Sequence, residues 1–122
     1  METITINGVE YVKKADIELG AIRASEWDGM RYYVVRTYSA GVFSGYLENR
    51  NGKEVILRNA RRIWYWEGAC SLSQLAMEGT KKPEECKFAM PVNEILLTEV
   101  VEIITCTEKA RLSIQGVPEW KA

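Results

Sequence analysis

A chain of 122 residues, 47% hydrophobic and 27% charged, can bury one continuous core without disulfide staples and has the composition of an ordinary globular domain. Its net charge of -1 weighs against a long polyanion as partner, since phosphate-backbone binding asks for a broad basic face; no DNA or RNA partner is expected, and a bound anion should be small. The chain has no histidine, the group on which most hydrolytic triads, many acid–base pairs and most zinc sites depend.

The opening stretch "METITINGVEYVKK" lacks the charged segment, apolar run and small-residue cleavage site of a secretory signal. No stretch approaches the roughly 20 apolar residues that span a bilayer, so a cytoplasmic protein with no membrane partner is expected. "TITINGVEYV" alternates around Asn7-Gly8 and "VFSGYLENRNGKEVIL" around Asn51-Gly52, dipeptides that accept the positive φ angles of a type I′ turn. Strands are expected at about 3–6, 9–13, 31–38, 42–49 and 53–65. Between them, "ADIELGAIRASEWDG" reads as a short helix from Ala15, weakened by Gly20, or as a loop. "MRYYVVRTY" is rich in β-branched and aromatic residues, and Ser39-Ala40-Gly41 turns it into "VFSGYLEN". That turn is ordinarily a tight hairpin, but its small residues also let a ligand approach backbone amides.

The strand "KEVILRNARRIWYW" is unusually long. Strict alternation puts Val55, Leu57, Asn59, Arg61, Ile63 and Tyr65 on one face and Ile56, Arg58, Ala60, Arg62, Trp64 and Trp66 on the other. Each face mixes apolar and cationic residues; a bend near Asn59, or an interface with a second chain, would account for this. Arg50, Lys53 and Arg58 on the hairpin read as solvated surface, whereas Arg61 and Arg62 sit beside "IWYW", where guanidinium forks and ring faces together suit a nucleotide-like ligand. Alternation also requires at least one tryptophan to pack inward.

"SLSQLAMEG" reads as a helix with Ser71 and Gln74 as a capping box, Leu72, Leu75 and Ala76 as its apolar face, and Gly79 as its end. "CKFAMPVNEILLTEVVEIITC" gives one or two strands, the first limited by Pro91, with Phe88 in the core. Thr105 to Glu108 forms a second capping pattern before a short helix ended by Gly116 and Pro118. The starts of these helices, at Ser71 and at Thr105, Thr107 and Lys109, are candidate phosphate seats. Cys70, Cys86 and Cys106 are odd in number and lack CxxC spacing, which fits reduced thiols; no metal or cofactor is expected. The fold class expected is α+β: a mainly antiparallel sheet with two or three short helices packed against it, in a single domain over 1–122, with an N-terminal hairpin and short helix or loop over 1–30 and a ligand-binding core over 31–122.

No paired carboxylates, GxSxG elbow or phosphate loop stand out, so an enzyme is not expected and no catalytic residue is assigned. The strings "VVRTYSAGVFSGYLE", "NARRIWYWEGACSLSQLAMEG", "CKF" and "EILLTEVVEIITCTEKARLSI" together resemble a family of small phage proteins that includes the first type of Thoeris anti-defence protein, over about residues 32 to 120. What the resemblance implies is a sponge. Such members sequester, without cleaving, a cyclic ADP-ribose isomer (glycocyclic ADP-ribose) made by the host's Thoeris immune system, in pockets between two subunits. Some form hexamers that also hold cyclic oligonucleotides such as di- and trinucleotides. By the same resemblance, Arg36, Arg61, Arg62 and Arg111 are the phosphate-contact candidates, Trp64 or Phe88 stacks on the base, and Ser39, Ala40 and Gly41 offer amide contacts. Asn59, Ser71 and Gln74 match the family strings "NARR" and "SLSQL". "ITCT" at Ile104 to Thr107 departs from the commoner "IPCT" of that family. The alternatives are a phage protein that binds a host protein through its aromatic patch, and an enzyme that opens a cyclic nucleotide.

Overall fold

The computed structural model describes residues 4–5, 9–10 and 23–121. A two-stranded hairpin pairs β1 (Ile4–Thr5) with β2 (Val9–Glu10), matching the expected strands; the Asn7-Gly8 turn and residues 15–22 of the expected helix or loop lie outside the described residues, while 23–29 form no helix and carry isolated bridges from Arg23 to Thr107 and from Trp27 to Met30. The main sheet has six antiparallel strands: β3 (Tyr32–Thr37), β4 (Val42–Asn51), β5 (Glu54–Tyr65), β6 (Lys87–Phe88), β7 (Val92–Leu97) and β8 (Val100–Thr105). Two helices, α1 (Leu72–Glu78) and α2 (Glu108–Gln115), complete it among the described residues. The fold is α+β with a mainly antiparallel sheet.

Strand order is β6-β5-β4-β3-β8, with β7 also pairing β5. Thus β7 and β8 occupy opposite edges, four strand spacings apart, which would be about 19 Å in a flat sheet. Only Thr98 and Glu99 join them, a span of at most about 10 Å. The sheet must therefore coil on itself, and the amide of Val100 donates to the carbonyl of Lys53 at the β4–β5 hairpin tip (3.1 Å). Inside the coil lie Val35, Phe43, Val55, Leu57, Ala60, Leu97 and Val100. On the outer face Tyr32, Val34, Tyr46, Ile63 and Phe88 pack beneath Leu75 and Ala76 of α1 and Ala110 and Ile114 of α2. Both helices owe their position to this apolar stripe rather than to their short length, which is marginal alone.

The mixed faces of the long strand resolve at Asn59. Its φ of 51° makes it a bulge, and the pairing of β4 with β5 slips between Ser44 and Tyr46. The extra residue switches parity, so Val55 and Leu57 share the inner face with Ala60, while Ile63 faces the helices. Gly45 opposes the bulge: an added Cβ there would lie 3.1 Å from Ala60 Cα. The bend anticipated near Asn59 is present.

Three expectations need correction. The hairpin turn is centred on Gly52-Lys53, not Asn51-Gly52, because Asn51 and Glu54 form the closing pair; a positive φ at Gly52 alone follows the II′ pattern. The segment after residue 86 gives three strands, since Pro91 precedes β7 and the chain turns again at Thr98 and Glu99. The second cap is Thr107, not Thr105, because Thr105 still pairs with Tyr33 in the sheet.

Candidate functional site

Strand β5 beyond the bulge carries the densest cationic and aromatic cluster, but the two neighbouring arginines have opposite fates. Arg61 is 2% exposed, and its guanidinium donates to the carbonyls of Ala89 (2.8 Å), Ile114 (2.8 Å), Val117 (2.9 Å) and Phe88 (3.1 Å). Two of these acceptors lie at the C-terminal end of α2, where a cation also meets the negative end of the helix dipole. Burial lowers its pKa, yet guanidinium stays charged. Arg61 is a pin between β5, the β6–β7 connection and α2, and its expected phosphate contact is corrected accordingly. Phe88 is fully buried beneath it, 5.5 Å from the guanidinium carbon, and offers no face to a base.

Arg62 points to the other face. Its guanidinium carbon lies 4.7 Å from the Phe43 ring centroid and 5.6 Å from that of Trp64, and its Nε is buried with no hydrogen-bond partner. It lines a cleft of about 130 Å³ with Phe43, Ala60, Met90, Val92 and Ile95. Trp64 is 59% exposed and meets Trp120 edge to face, centroids 6.4 Å apart, while Lys87 Nζ stands 5.4 Å from the Trp120 ring and 5.9 Å from Tyr65. Trp66, by contrast, packs partly into the core. Trp120 and Lys87 were not legible as site residues. Trp120 is brought to β6 by its amide donating to the Phe88 carbonyl (2.9 Å), a contact no local pattern announces.

The other expected residues lie apart from this cluster. Arg36 is paired with Glu102 (2.8 Å), and Ser39 Oγ donates to Glu99 (2.7 Å). In the same turn Thr37 Oγ1 takes the Ala40 amide and donates to the Gly41 carbonyl, so the amide contact expected of Ala40 is already used. Ser71 Oγ accepts from the Gln74 backbone amide, and Gln74 Oε1 accepts from the Cys70 amide, so both side chains serve a cap on a helix of seven residues. Arg111 donates to both oxygens of Glu108, to Tyr46 Oη and to Gln115, which raises its own pKa and holds the Glu108 carboxyl down to about 2. Four of its five N–H donors are spent on structure. Thr107 is buried, capping Ala110 and donating to the Met77 carbonyl, so the second phosphate seat is closed. Asn59 lines a separate cleft of about 130 Å³ with Tyr32, Arg61, Pro91 and Gln115, on the opposite face from Arg62.

A cleft of about 430 Å³ lies away from the aromatic cluster, between the hairpin tip and β8. Among the described residues no group of three or more His, Cys, Asp or Glu could hold a metal ion, and no helix is long and apolar enough to cross a membrane. No curated protein and no solved structure matches the chain. Residues 30–114, which hold the main sheet, α1, all of α2 but its last residue, and Arg62, match the family described as Domain of unknown function (DUF6948). The chain belongs to that family.

Proposed function

We propose that this protein is a non-catalytic sponge for a compact nucleotide anion, a cyclic ADP-ribose isomer of the Thoeris immune system such as glycocyclic ADP-ribose, acting in the bacterial cytoplasm as a homo-oligomer. The observation that carries the reading is Arg62, whose buried Nε has no acceptor although an orphaned donor of this kind costs about 1–3 kcal/mol. A phosphate supplies the missing acceptor, and a guanidinium fork can meet two of its oxygens. Exposed Trp64, 5.6 Å from that guanidinium, and Trp120 beside Trp64 add ring faces on which a base can stack.

The cleft of about 130 Å³ falls below the ~300–1,000 Å³ of small-molecule pockets. One protomer thus encloses only part of such a ligand, and a second copy supplies the rest; a homodimer, or a hexamer built from it, follows. The lining sets one guanidinium among apolar side chains and includes no carboxyl, thiol or imidazole, so gripping an intact ligand is the chemistry it favours. Cyclic di- and trinucleotides are the second ligand class in this reading.

The test mixes the protein with glycocyclic ADP-ribose, removes free ligand, denatures by heat and analyses what is released. Intact ligand, with a melting temperature raised before release, is expected. A cleaved product would favour the ring-opening enzyme. Unchanged melting with every cyclic nucleotide, together with a host protein that co-purifies and is lost with Trp64→Ala, would favour the protein-binding reading, for which the exposed Trp64 and Trp120 are natural anchors.

A further inference from the structure

Strand β8 closes one edge of the main sheet, paired with β3 and with no second strand among the described residues. The Cys106 amide donates to the Tyr32 carbonyl on the β3 side. Backbone groups alternate along a strand, so those of Ile103 and Thr105 point the other way, along the open edge. Val101 lies where the pairing slips between Arg36 and Thr37, and has no partner in the β3 register.

Facing this edge is the β4–β5 hairpin tip, bonded across the start of β8 by Lys53 and Val100. The two walls enclose a groove of about 430 Å³ lined by Arg50, Gly52 and Lys53 on one side and Val100 to Ile103 on the other. Arg50 Nε donates to the Gly52 carbonyl, which leaves its charge uncompensated. The acid in the groove, Glu102, is held by Arg36, so Arg50 and Lys53 dominate the field there. Val101, 51% exposed, and half-buried Ile103 offer an apolar seat.

We infer that this groove takes an extended acidic peptide as an added strand, its backbone pairing with the open edge of β8 and its carboxylates meeting Arg50 and Lys53. Main-chain pairing supplies the affinity in such an addition, and alternate side chains supply the selectivity. A single extended chain enters between the two walls, whereas the broad sheet edge of a second copy is held off by the bonded hairpin tip. The groove is separate from the Arg62 cleft, and the inference stands or falls independently of the sponge reading.

The test is fluorescence anisotropy of the full chain with a labelled peptide of alternating glutamate and valine about eight residues long. Its lysine–valine counterpart and an acidic version N-methylated at alternate amides serve as controls. The acidic peptide should bind at least about tenfold more tightly than either, about 1.4 kcal/mol. Lys53→Glu, on the exposed hairpin, should weaken it by a similar factor, and Val101→Pro should do the same while leaving the β3 ladder whole. Equal binding of the N-methylated peptide, absence of binding, or no response to Lys53→Glu overturns the inference. So does displacement of the peptide by a cyclic dinucleotide that persists in Trp64→Ala protein, which would mark the groove as a small-anion site.

Discussion

Truncating Arg61 should destabilise the protein heavily, because the side chain ties β5 to four carbonyls in two distant stretches of the chain, 88–89 and 114–117. In Arg61→Ala, the Phe88 carbonyl keeps the Trp120 amide and the Ile114 carbonyl keeps the amide of Val117. The carbonyls of Ala89 and Val117 lose the partner that Arg61 supplies. Each buried acceptor left unpaired costs about 1–3 kcal/mol, and loss of the packed stem adds to it, so the variant should lose about 3–5 kcal/mol. That is a large part of the 5–15 kcal/mol typical of a domain. Arg61→Met should lose less, about 1–3 kcal/mol, since it keeps the volume and removes the cost of burying a charge. Urea unfolding at neutral pH measures both, as a lower midpoint at unchanged slope. If Arg61→Ala stays within about 1 kcal/mol of the parent and loses ligand binding instead, Arg61 is a ligand contact and the pin is refuted.

Asn59, at a φ of 51°, should tolerate glycine within about 0.5 kcal/mol but lose about 1–2 kcal/mol on replacement by valine, whose branched Cβ resists that conformation; equal urea midpoints for the two variants would contradict the bulge. Glu108 is depressed in the folded state from 4.5 to about 2, chiefly by its hydrogen bonds to Arg111, so its contribution is present above its ordinary value and lost as pH falls from about 4.5 toward 2. Glu108→Gln should therefore flatten the acid limb of the stability profile in that window, and an unchanged limb would show that the pair contributes nothing.

Elements whose signals are local were legible. The alternation of "MRYYVVRTY" placed β3, and the spacing of Ser71 and Gln74 placed α1 with its cap. Where two local solutions compete, position slipped. Asn51-Gly52 and Gly52-Lys53 can both close a two-residue loop, and only the pairing of Asn51 with Glu54 decides between them. Thr105 and Thr107 both precede a plausible first turn, and the ladder between Thr105 and Tyr33 settles which one caps. Contacts between distant segments left no local trace at all. Trp120 comes beside Trp64 through a parallel bridge between Phe88 and Glu119, and Arg111 of α2 gives one donor to Tyr46 of β4.

The division between Arg61 and Arg62 follows from the same bulge. Had β5 run straight, Arg61 would have shared a face with Val55 and Leu57, inside the coil. One extra residue at Asn59 turns Arg61 instead toward Phe88 and the end of α2, where backbone carbonyls consume its donors, and puts Arg62 over Phe43 on the opposite face. The two guanidiniums thus separate a structural demand from the proposed binding role within two consecutive residues. A variant that probes nucleotide binding should be made at Arg62, because a loss of binding at Arg61 cannot be told from a loss of fold unless stability is measured alongside it.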